Sequence, residues 1–116
     1  SQTTTNAAVI FRYTKPNFSL KVTGVKKVTY ILEYARTAKG QEYIEGLQGG
    51  GKALKNTVFS KFIYGGTQSS KYFIPHTIRN GNITVLLTKL DGSIVTYKAV
   101  FTIAKNKLVI SSQQYQ

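Results

Sequence analysis

Cysteine is missing from the 116 residues, and so are methionine and tryptophan. Without thiols the chain has neither disulfides nor thiolate metal sites, and the cysteine count carries no information on redox compartment. Acid is nearly as scarce: Glu33, Glu42, Glu45 and Asp91 stand against sixteen basic residues, a formal net charge of +12. With one histidine, His76, and four dispersed carboxylates, no metal-ligand spacing exists, and no metal or cofactor is expected. Retaining or inverting glycosidases place two carboxyls roughly 5 to 9.5 Å apart across a substrate; Glu42 and Glu45 read instead as solvated acids. No apolar run approaches the roughly 20 residues of a membrane helix. The start, SQTTTNAA, lacks the charged and apolar regions of a signal peptide, and reads as that of a processed chain or an excised domain.

What is present is mostly strand. A chain of this length with 41% hydrophobic residues buries one core without staples. AVIFRYT precedes Pro16 as a first strand, FSLKVT alternates Phe18, Leu20 and Val22 against Ser19, Lys21 and Thr23, and VTYILEYA puts Val28, Tyr30, Leu32 and Tyr34 on one side. TVFSKFIY reads as a middle strand. In ITVLLTKL-DG-SIVTYKAVFTI, Asp91-Gly92 predicts a two-residue type I′ hairpin pairing Leu90 with Ser93. That register puts Leu86, Leu90, Val95, Tyr97, Ala99, Phe101 and Ile103 on the core face. AKNK then reverses the chain, pairing Ile103 with Leu108 and Phe101 with Ile110. Turns are expected at Lys15-Pro16-Asn17, Gly24, Lys39-Gly40, Gly49 to Gly51, Gly65-Gly66 and Asn80-Gly81-Asn82, the spacing of a sandwich. QEYIEGLQG holds one short helical turn through Tyr43, Ile44 and Leu47.

About seven or eight antiparallel strands within residues 8–112 predict an all-β sandwich, with residues 1–7 and 113–116 as polar end segments. VTYILEYARTAKG followed by a terminal hairpin resembles the third strand and F–G ribbon of immunoglobulin-like or fibronectin-type modules. The resemblance implies a fold and no activity, because the bridging cysteines and core tryptophan of antibody domains are absent.

Two motifs touch on chemistry. GLQGGGKA fits GxxxxGK through Gly46, Gly51 and Lys52 and then breaks at Ala53, where the magnesium-binding hydroxyl belongs. The next stretch, ALKNTVFSKF, is β-rich where a helix is required, so the glycines are expected to form a flexible connection between strands. His76 in YFIPHTI has no GxSxG serine to activate; it is placed in a loop or at a strand end, and no catalytic residue is expected.

Charge and tyrosine leave a binding function. An excess of this size attracts anionic partners, yet only Lys26 and Lys27 adjoin, and the remaining lysines are scattered along the chain. Lys26, Lys27, Lys61, Tyr64, Lys71, Tyr72, Arg79, Lys89 and Lys98 are the candidate polyanion-binding set for nucleic acid or acidic polysaccharide, with the tyrosines offering stacking faces. Asn17-Phe18-Ser19 and Asn82-Ile83-Thr84 match the N-glycosylation triplet and are placed at strand edges. AVIFRYT and LVISS are candidate open edges for strand addition to other domains or to copies of the chain. The expectation is a non-catalytic, extracellular or cell-surface module for adhesion, assembly or spacing, without membrane insertion; polyanion binding is the alternative.

Overall fold

A computed structural model describes residues 6–68 and 71–116. It is all-β and antiparallel. The strands are β1 (Ala8–Thr14), β2 (Asn17–Thr23), β3 (Val25–Ala38), β4 (Gln41–Lys52), β5 (Val58–Tyr64), β6 (Gly66–Gln68), β7 (Phe73–Pro75), β8 (Thr77–Lys89), β9 (Ile94–Ala104) and β10 (Lys107–Tyr115). They form a three-stranded sheet, β1-β2-β5, a five-stranded sheet, β10-β9-β8-β3-β4, and the small β6-β7 ribbon. Alternation in the sequence decides which side chains go inside. Phe18, Leu20 and Val22 from β2 share one buried cluster with Val28, Leu32 and Tyr34 from β3 and with Tyr97 and Phe101 from β9. At its centre Phe18 stacks on Phe11 at 5.5 Å and meets Phe101 edge-on at 5.7 Å. The lysines stay wet.

The turns fix the registers. Lys105 and Asn106 both have positive φ (52° and 63°), as a two-residue type I′ turn requires, and Leu108 pairs with Ile103 and Ile110 with Phe101 as expected. Lys39 and Gly40 make the same kind of turn between β3 and β4, with φ of 51° and 74°.

The β8–β9 hairpin corrects the expected register. Only Gly92 has positive φ, the Gly92 N–H donates to the Lys89 carbonyl, and Thr88 pairs with Ile94, so the loop is one residue longer than a type I′ turn. This is a turn closed by a glycine in the left-handed region. One residue of slip exchanges the faces of β8: Ile83, Val85 and Leu87 are buried, whereas Leu86 and Leu90 are 40% and 44% exposed. The β9 face is as expected, with Tyr97, Ala99 and Phe101 buried.

Two expected breaks are strand. Asn80-Gly81-Asn82 lies within central β8, where a Cβ on Gly81 would collide with the Glu33 carbonyl and the Phe101 ring. The glycine there permits close strand approach and makes no turn. Gln41–Lys52, expected as a helical turn plus a flexible glycine connection, is one strand paired without interruption to β3. Tertiary pairing overrides the low strand propensity of glycine, and the missing Cβ of Gly49 leaves space for the Tyr30 hydroxyl. At the C-terminus β10 runs through Tyr115, and Gln116 exchanges backbone bonds with Thr96.

Candidate interaction surfaces

The positive charge is divided among separate places. Lys26 and Lys27 open β3, Lys27 lies opposite both Lys52 and Thr88, and Lys89 pairs with Val25, so four lysines share one end of the five-stranded sheet. Lys52 was not in the predicted set, since its partnership with Lys27 depends on β4 being a strand. Arg79 sits toward the opposite end of β8, 3.9 Å from Glu42. Lys98 stands alone in the middle of the outer face, between Thr84 and Gln114. Lys61 belongs to edge strand β5 and faces the core side, opposite Leu20, with its side chain reaching solvent.

The tyrosines of the predicted set lie elsewhere. Tyr64 ends β5 and meets Phe73 edge-on at 5.7 Å, while Lys71 and Tyr72 lead into β7. Tyr72, Phe73 and Ile74 are exposed here, as is Phe62 on β5. Phe62, Phe73 and Ile74 were missed because apolar residues in short β-rich runs read as core. The predicted nine residues therefore form no continuous groove.

His76 is built into a polar knot. It lies between β7 and β8, its Nδ1 2.8 Å from the Tyr34 hydroxyl and its Nε2 2.6 Å from the Thr67 hydroxyl. Burial, then the nearby Arg36, lowers its pKa below the usual imidazole range. Burial, then Glu45, pushes the Tyr34 phenol up to about 12. The imidazole, hydrogen-bonded to both hydroxyls, ties the β6-β7 ribbon to β3. Arg36 bonds Glu45 at 2.7 Å and lies over the Tyr43 ring. Among the described residues no group of acids and histidine is arranged to hold a metal ion.

The outer face of the five-stranded sheet is nearly uncharged. From the row of Thr29, Leu86 and Thr96 to the row of Ala35, Asn80 and Thr102 it carries only Glu33 and Lys98 as charged residues. Asn82 lies exposed within this face, in a central strand and away from the edge position expected for its glycosylation triplet; Asn17 is half-buried at the start of β2.

The sheet edges differ in how they are closed to other strands. Edge strands are commonly blocked by charge, proline, bulges or cover. On β1 the Val9 N–H is taken by the Tyr115 hydroxyl at 3.0 Å. β5 carries Lys61 on its inner side, and β10 is bent by a bulge between Ile110 and Ser112. Between Gly46 and Gly51, β4 has an unbroken register, no charge and no proline, and among the described residues no strand pairs with its outer side. The Ala53 N–H donates to the Lys26 carbonyl at 2.7 Å, which sets the alternation of the ladder. Gly51, Gly49, Leu47, Glu45 and Tyr43 thus turn their backbone groups to β3, and Lys52, Gly50, Gln48, Gly46, Ile44 and Glu42 turn theirs to the open side. An open depression of about 640 Å³ lies along the glycines, lined by Lys27, Thr29, Gln48 and Gly49 to Gly51.

Comparisons with protein-family models, with curated proteins and with solved structures find no match for this chain.

Proposed function

We propose that the chain is a non-catalytic β-sandwich module of the immunoglobulin or fibronectin type, part of a surface or secreted protein, which works in assembly or adhesion through the edge of its large sheet. The strand order supports the fold reading: β1-β2-β5 and β4-β3-β8-β9 follow the A-B-E and C′-C-F-G orders of such modules, with β10 added beyond G. The open edge of β4 carries the functional reading. Among the described residues nothing pairs with its outward backbone donors and acceptors, which lie beside a nearly neutral face, and that is what strand addition uses. A non-catalytic role agrees with His76, whose two ring nitrogens are occupied by hydroxyls.

The experiment sets this reading against polyanion binding, which the lysines at the start of β3 would serve. Heparin and single-stranded oligonucleotides are titrated into the domain at low and at physiological salt. The assembly reading expects no binding in physiological buffer. Tight binding whose affinity falls by about 10³-fold or more between ~50 and ~200 mM salt would mark release of several counterions and overturn it.

A further inference from the structure

We propose that β4 is a self-pairing strand: two copies of the chain join their β4 edges antiparallel about a two-fold axis at Leu47, fusing two five-stranded sheets into one. The proposal rests on the assembly reading and names its partner as a second copy.

Three features of β4 select this partner and this register. The first is hydrogen bonding. The open side belongs to the even-numbered residues from Glu42 to Lys52, so a pairing must match even with even. Centring on Leu47 satisfies this, setting Gly46 against Gln48 of the second copy, Ile44 against Gly50, and Glu42 against Lys52. The second is charge. The strand is acidic near its start and basic at its end, so each Glu42 meets a Lys52 across the axis, twice by symmetry. The third is size. Tyr43, Ile44 and Glu45 fall opposite Gly51, Gly50 and Gly49, so each run of large side chains faces a run with none. Ile44, 69% exposed in the single chain, then covers the depression above Gly50.

Shifting the axis by one residue in either direction keeps the hydrogen-bond parity and spoils the rest. Centred on Gly46, Glu42 faces Gly50 and Lys52 faces Gly40 of the turn; centred on Gln48, Glu45 faces Gly51 and Ile44 faces Lys52. Other edges compete poorly. β1, β5 and β10 are each blocked by a hydroxyl, an inward lysine or a bulge.

Because the chain has no cysteine, a single Leu47→Cys substitution reports the axis directly. Leu47 would face itself in a non-hydrogen-bonded pair, where Cα atoms lie about 4.5 Å apart, within disulfide range. The variant is expected to cross-link to a dimer under mild oxidation, while Gln113→Cys on β10 stays monomeric. Separately, Glu42→Lys or Lys52→Glu alone should weaken the dimer by about tenfold, and the double exchange should restore it to within about twofold, as expected for opposite charges directly across a strand pair. Glu42 and Lys52 are exposed and Leu47 is half-buried at the margin of the core, so the fold is retained. A dimer that Gln113→Cys captures and Leu47→Cys does not would overturn the β4 pairing and leave the assembly reading standing. A chain that sediments as a monomer at every concentration, with Leu47→Cys uncross-linked, would also overturn the pairing. Failure of the assembly reading has its own mark, the salt-dependent capture of polyanions.

Discussion

Replacing Phe18 with alanine is expected to remove about 3–5 kcal/mol of stability, a large part of the ~5–15 kcal/mol that holds a domain of this kind. The ring is fully buried and touches four others: Phe11, Tyr13, Phe101 and Tyr34, at centroid distances of 5.5, 4.8, 5.7 and 5.9 Å. Phe11 and Tyr13 belong to the small sheet, and Tyr34 and Phe101 to the large one, so Phe18 joins both layers. Truncation removes transfer energy and leaves a cavity that rigid strands on both sides cannot close. Urea unfolding measures the loss. A change below about 1 kcal/mol, the range of an ordinary surface substitution, would show that the sheets do not meet at this ring.

Leu87→Ala should cost about 2–5 kcal/mol and Leu86→Ala less than about 1 kcal/mol. Adjacent leucines on β8 face opposite ways, Leu87 toward Val95 in the core and Leu86 toward Thr96 on the outer face. Comparing the two unfolding midpoints reads the β8–β9 register in solution. The reverse ranking would restore the two-residue turn at Asp91-Gly92 and refute the longer one.

That hairpin also shows where sequence reasoning loses its grip. Both Leu86 and Leu87 are apolar, so alternation along β8 fits either face, and Asp-Gly suits a type I′ turn as well as a turn needing positive φ at glycine alone. The β9–β10 reversal was legible because Phe101, Ile103, Leu108 and Ile110 leave one register that keeps all four on the inner side. β2 and β3 were likewise readable from their alternation, and β1 and β5 as β-rich runs. β4 was not. Its glycines lower strand propensity and suggest a loop, and only the shape of β3, with Tyr30 lying against Gly49, makes them fit. The interaction surfaces suffered from the same gap. Lys61 reads as a binding lysine in the chain, and only the register opposite Leu20 shows that it stands on the inner side of an edge strand. Residues of the proposed pairing surface, Ile44, Leu47 and the glycine triplet, carry no recognisable chemistry until β4 is known to be an open strand.

Amide hydrogen exchange along β4, measured in dilute and in concentrated solution, tests the central claim most directly. Leu47, Gly49 and Gly51 direct their amides to β3, so these should exchange slowly under both conditions. The amides of Gly46, Gln48 and Gly50 should exchange quickly when dilute and become protected as concentration rises. Rapid exchange of the latter three at every concentration, or protection that appears on β10 instead, would contradict the account.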